Sequence, residues 1–134
     1  MSIFRDQTTN LLLKGLDAAA LRQQVTAHNL ANLNTPFFKR SDVSFEEELK
    51  KAKNNLGGPM ARTHEKHFPR STVPDIEAQV KKDTTTVRRL DGNNVDLERE
   101  MLNMVSNQLR YNTYVQTMNN RYNNWRYVIN EGRR

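Results

Sequence analysis

The 134-residue chain has no cysteine, only 4 prolines, 5 glycines and 1 tryptophan, and no apolar run near the ~18 residues that span a bilayer. Without thiols, disulfides and thiolate metal sites are excluded, and the chain suits an oxidising or a reducing compartment equally. The first residues lack the basic segment and apolar stretch of a secretory leader, so neither membrane insertion nor a cleaved signal peptide is expected. Large apolar groups are also scarce. With 36% hydrophobic and 27% charged residues the core must be thin, which implies an elongated molecule.

A charge excess of one sign along any segment is missing as well. The net charge is +6, yet residues 1–34 carry 3 basic and 2 acidic groups, residues 35–95 carry 12 and 9, and residues 96–134 carry 6 and 4. Such balance gives no basic stripe to track a phosphate backbone, so nucleic acid is not an expected partner. Catalytic motifs are absent too. No G-x-S-x-G, Walker A or G-x-G-x-x-G occurs, and in His64-Glu65-Lys66-His67 the histidines stand three apart, not the four of H-E-x-x-H, with Pro69 close behind. No catalytic residue, metal site or cofactor is expected, and the chain reads as a non-enzyme.

What is present is helical periodicity at both ends. Leu97, Met101, Met104, Gln108, Tyr111, Val115, Met118, Tyr122, Trp125 and Ile129 follow an unbroken 4-3-4-3 spacing, the mark of a coiled-coil seam. The N-terminal segment has its own stripe of Leu12, Leu13, Leu16, Ala20, Gln23, Ala27 and Leu30. The predicted fold is mainly α: residues 1–34 form an N-terminal helix, residues 96–134 a C-terminal helix, and the two pair as an antiparallel coiled coil. A loop-rich segment, 35–95, joins them, irregular or with a small β element.

Local signals place the ends. The first helix runs from about Asp6 to Asn32, with Thr8 or Thr9 as a later cap, and stops before Pro36, which disfavours helix at Thr35. A short helix over 44–54 is expected from the capping-box spacing of Ser44 and Glu47, with Glu46, Glu47 and Glu48 in its first turn and Lys50, Lys51 and Lys53 towards its end. Gly57-Gly58-Pro59 ends it. Between Met60 and Leu90 only Val80 and Thr84 to Val87 have strand character, so a hairpin, an extended arm or disorder all remain open. Asp91-Gly92-Asn93-Asn94 is a turn signal, and Asn94 or Asp96 caps the last helix.

That last helix has more than a hairpin needs. Leu102, Val105 and Leu109 form a second apolar patch beside the seam, expected to meet other subunits. Eight asparagines between Asn103 and Asn130, poor helix formers lying off the seam, are expected to bond neighbouring chains. Folding is thus completed by assembly. If Leu33 lies level with Leu97, Gln23 and Gln108 share one polar layer that sets register.

The stretch Ala27-His28-Asn29-Leu30-Ala31-Asn32-Leu33-Asn34-Thr35-Pro36-Phe37-Phe38-Lys39 resembles the N-terminal signature of bacterial flagellar rod and hook proteins, A-x-N-(L/I/V)-A-N-x-x-T-x-G-(F/Y)-(K/R). Asn29, Leu30, Ala31, Asn32, Thr35, Pro36, Phe38 and Lys39 carry it. Phe37 replaces the usual glycine, which implies a bend without positive φ. Asp91 to Met101, with Leu109-Arg110-Tyr111, is similar to a proximal rod member of that family. The resemblance implies terminal helices paired and stacked helically in the rod of the flagellar basal body, transmitting torque. It implies as partners copies of the chain, other rod proteins, the protein joining rod to MS ring and the flagellar type III export apparatus. It also implies a place in the rod crossing the periplasm, reached without a cleaved signal peptide. The competing reading from the residues is a soluble helical adaptor or chaperone-like binding module.

Overall fold

The computed structural model describes residues 6–55, 76–86, 88–130 and 132. Along the chain run helix α1 (Gln7–Ala31), strand β1 (Ser41–Ser44), helix α2 (Glu46–Asn55), strand β2 (Gln79–Lys82) and helix α3 (Leu97–Ile129). Gly57 to Pro59, His64 to His67, Pro69 and Val87 lie outside the described residues.

Both long helices end where local chemistry places their ends. Asp6 occupies the extended N-cap position of α1, not Thr8 or Thr9, and Thr9 is buried. At the other end Asn32 donates its amide to the His28 carbonyl, and Pro36 follows. Of the two candidate caps for α3 it is Asp96 whose carboxylate accepts from the Arg99 N–H; Asn94 serves elsewhere.

The helices run antiparallel, since Asp6 pairs with Arg121, the Gly15 backbone meets the Tyr114 ring, the Ala19 carbonyl accepts from Asn107, and Asn29 donates to Glu100. At about 1.5 Å per residue α1 is roughly 37 Å long and α3 roughly 50 Å, so α3 overhangs the start of α1.

The middle departs from expectation in three places. The strand over 41–44 was not anticipated, because Ser-Asp-Val-Ser has little strand propensity; β2 pairs with it antiparallel, Ser41 opposite Lys82 and Val43 opposite Val80. Ser44 ends that strand with its buried hydroxyl unpartnered among the described residues, so the Ser44–Glu47 capping box does not form. Phe45 takes the cap position instead, its carbonyl accepting from Leu49, because its ring is the anchor of a small core with Ala18, Ala52 and Ile76. Finally, Thr84 to Thr86 are not a strand. Asp83 collects the N–H and hydroxyl groups of both Thr85 and Thr86 into a turn. Those bonds, led by the Thr86 hydroxyl, hold its carboxyl down at about 2.

Phe37 corrects a fourth expectation: its φ is +59°, so the bend keeps the left-handed backbone for which glycine is suited. Its N–H donates to the Asp91 carbonyl, and its ring lies against Gly92 while remaining 79% exposed. Little packing offsets the strain. Phe37→Gly is therefore expected to stabilise the fold by roughly 0.5–1 kcal/mol, read from the midpoint of urea unfolding; an equal loss would show that the ring's contact outweighs the backbone.

Candidate assembly interface

A polar knot ties the end of α1 to the start of α3. Asn93 has no exposed surface; its amide N–H groups donate to the carbonyls of Asn32 (3.1 Å), Leu33 (3.0 Å) and Thr35 (2.9 Å), and its side-chain oxygen accepts from the Val95 N–H at 2.7 Å. One side chain thus gathers three carbonyls of the turn that follows α1 and holds that turn closed. Asn94 accepts from the Arg40 N–H at 2.7 Å and donates to the Asp83 carbonyl and the Thr86 hydroxyl. Lys39 reaches the Thr86 and Gly92 carbonyls, and Arg89 reaches that of Leu33.

Beneath this knot lies a buried charge. Glu100 is 1% exposed, accepts from Asn29 at 3.1 Å and faces Arg40 Nε at 3.3 Å. The two charges attract at that distance without the alignment of a hydrogen bond, so Arg40 Nε and Glu100 Oε1 have no hydrogen-bond partner among the described residues, while the Arg40 Nη2 donates to Asp42. Asn29 also exchanges two bonds with the Ser41 backbone, joining α1 to β1 as a neighbouring strand would. The signature residues Asn29, Asn32, Thr35 and Lys39 are therefore latch residues. Leu30 is half-buried, while Ala31 and Pro36 are exposed; Phe38 is half-buried, its ring 5.4 Å from that of His28.

A second tie runs sideways. Glu46 at the head of α2 accepts from Arg22 of α1 at 2.6 Å and Arg110 of α3 at 2.9 Å, while Arg22 also reaches the Val43 carbonyl. Partial burial raises the Glu46 carboxyl, but the Arg22 hydrogen bond and both positive charges outweigh it and leave it below its usual value.

These ties fix how α3 is rotated about its axis, and the result separates the seam from the α1–α3 contact. Glu100, Asn107 and Met118 are the buried residues of α3. Along the ten seam positions Leu97, Met101 and Met104 are 46%, 55% and 37% exposed, Gln108 and Tyr111 border the cleft between the helices, Val115 and Trp125 are half-buried and Met118 is 6% exposed. A strict heptad drifts by about 20° per repeat on a straight helix, so the stripe starts on an open flank and turns towards α1. Tyr122 stays 45% exposed and Ile129, on the overhang, 65%.

The stripe of α1 behaves alike. Leu12, Leu16, Gln23 and Leu30 are half-buried, whereas Leu13, Ala20 and Ala27 stay exposed on the flank; the buried face carries Thr9, Gly15, Ala18, Ala19, Thr26 and Asn29. Gln23 finds a polar partner in α3, but it is Asn107, at 3.1 Å, one residue from expectation; Gln108 instead donates to Asn112. Asn107 lies inside the pair, contrary to the expectation that these asparagines all face other chains. The sequence marks Asn93 and Asn94 as turn residues but not as clamps, and gives no sign of the roles of Gly15, Tyr114 and Glu100, since each works through a partner distant along the chain.

Leu102, Val105 and Leu109 are 71%, 61% and 64% exposed, on the side of α3 away from α1. Between the helices on the open flank runs a groove of about 290 Å³, bordered by both stripes. Exposed apolar rows on a frame held by buried hydrogen bonds are the chemistry of a surface awaiting a partner. Among the described residues no His, Cys, Asp or Glu cluster could hold a metal, and no helix is long and apolar enough to cross a membrane.

Residues 10–39, which include the Asn29 to Lys39 signature, match the family model described as flagella basal body rod protein. The flagellar basal body rod protein FlgB of Borrelia hermsii is 37% identical over 85% of this chain and 88% of its own length. That of Bacillus subtilis is 31% identical over 99% of this chain and 100% of its own. That of Yersinia enterocolitica is 30% identical over 89% and 90%.

Proposed function

The chain belongs to the flagellar basal body rod protein FlgB family, and from that premise we infer that it works as a structural subunit of the rod, assembled through the exposed rows of its helix pair. A structural role and a place in the basal body follow from the family, and the adaptor reading is not favoured; we read the chain as a non-enzyme on the same ground. The observation that carries the assembly reading is the concentration of exposed apolar side chains on α3, from Leu97 to Leu109. Residues on a monomer surface at that density stabilise contact with neighbours by about 25 cal/mol per Å² removed from water.

The mechanism is mechanical. Two helices held at one end by the Asn93 knot and at the side by Glu46 form a strut that resists sliding of one helix along the other. Rows of such struts in lateral contact carry shear around a tube, which is how torque passes along it. Other rod proteins and further copies are the partners; we extend this to the protein that joins rod to MS ring, to a place crossing the periplasm, and to uncleaved passage through the flagellar type III export apparatus. A thin core of Ala18, Phe45, Ala52 and Ile76 suits a chain that must unfold for export.

Met104→Asp tests the reading. In bacteria that carry the variant as their only copy, swimming and recovery of the chain in purified basal bodies are expected to fall to background at normal cellular levels. Normal rods would overturn it. Circular dichroism of the purified variant separates a lost contact from a lost fold.

A further inference from the structure

We propose that the ridge Leu102, Val105 and Leu109 of one copy seats in the α1–α3 groove of the next, a heterologous contact that rests on the rod reading and specifies which face meets which. The ridge is convex and aliphatic, its three side chains spaced by three and four residues and 61–71% exposed. The groove is concave, floored by Ala19 and Ala20, walled by Tyr111 and rimmed by the amides of Gln23, Gln24 and Gln108. Small residues in the floor let a second helix approach, and a ridge of branched side chains fills the gap. At about 290 Å³ the groove is roughly twice the ~150 Å³ cavity that admits a benzene ring, room for two or three aliphatic side chains.

Charge agrees with the fit, because the groove is lined by neutral amides and the ridge has no ionisable member, so docking buries no unpaired charge. The occupant is a second copy because ridge and groove occur on the same chain in equal number and neither resembles itself. An isologous dimer would need ridge and groove on one common face, so that each ridge could enter the partner's groove. Helical spacing of 3.6 residues per turn puts the ridge opposite α1 and the groove on the adjoining flank, so the two surfaces point in different directions. Such contacts do not close on a pair; they propagate into a ring or an open helix. Three partly exposed side chains bury far less than the ~800 Å² per partner of a stable complex, so one contact is weak and a subunit held on two sides is secure. That keeps the free chain monomeric until it reaches the growing structure.

The absence of cysteine in the natural chain makes the contact directly readable. Val105→Cys and Gln24→Cys, each carrying a different tag, are expressed together, the cells are oxidised, and basal bodies are isolated. Both positions are exposed, so the fold tolerates cysteine there, as circular dichroism checks on each purified variant. The expected product is the mixed Val105–Gln24 disulfide, at least ~3-fold above the two homodisulfides together. Basal bodies that hold both variants with homodisulfides, statistical mixtures or no disulfide overturn the docking and leave the rod reading intact. Basal bodies that lack even the wild-type chain overturn both.

Discussion

Asn93→Asp is expected to be the most destructive conservative substitution in the chain, lowering stability by roughly 3–5 kcal/mol in urea unfolding followed by circular dichroism. The side chain keeps its shape but loses the two N–H groups that now serve the carbonyls of Asn32, Leu33 and Thr35. A carboxylate oxygen would face three carbonyl oxygens at hydrogen-bond distance, with no exposed surface from which water could intervene. The three carbonyls each keep one other donor, the Thr35 N–H, Arg89 and the Phe38 N–H, so the loss comes mainly from the buried carboxylate, which retains the Val95 N–H as its donor; a small domain has only about 5–15 kcal/mol in total to set against it. Asn94→Asp sharpens the test. It preserves the acceptor used by the Arg40 N–H and removes only the donations to Asp83 and Thr86, so its cost should be smaller. Equal effects would mean that loss of any turn asparagine, and not the three-carbonyl clamp, governs the fold.

Arg40→Met is the second large effect, expected at roughly 3–5 kcal/mol, because it strands the Glu100 carboxylate at 1% exposure with Asn29 as its remaining donor among the described contacts. The contribution of the pair itself is modest, since its geometry lacks hydrogen-bond alignment and both charges were drawn from water. Adding Glu100→Gln to Arg40→Met should therefore recover a large part of the loss, with a coupling energy of about 1–3 kcal/mol in a double-mutant cycle. Strict additivity of the two would show that each residue acts through packing alone. As Glu100 sits in the first turn of α3 and Asn29 near the end of α1, the same measurement reports whether the two helix ends unfold together.

The two predictions concern residues that differ in legibility. The Asp91 to Asn94 stretch declares a turn through its own chemistry, but nothing in it says that Asn93 reaches back 58 to 61 residues to clamp the end of α1. Helix periodicity marks both long helices, whereas the family signature rests on resemblance alone. Periodicity also misplaced the contact between the helices, because a heptad stripe read on a wheel assumes that the largest apolar side chains face inward. In this chain small residues do so: Gly15 admits the Tyr114 ring, which a Cβ there would crowd at 3.3 Å, and Ala19 lets Asn107 reach its carbonyl. Most of the larger apolar groups of α3 are thereby left exposed.

By itself the sequence determined what is local: where α1 and α3 begin and end, a short helix between them, the lack of thiol chemistry, and the rod-family signature. Capping groups, Pro36 and apolar spacing act within a few residues, so their effect can be read without knowing what is near in space. Only the tertiary structure decided the rotation of α3, the pairing of β1 with β2, the left-handed Phe37 and the division of the seam between inside and outside. Each of those depends on hydrogen bonds closing over long separations, 71 residues for Asn29 with Glu100 and 88 for Ala19 with Asn107. A buried polar group must find a partner wherever the fold supplies one, and that need set the faces of these helices against the order of hydrophobicity.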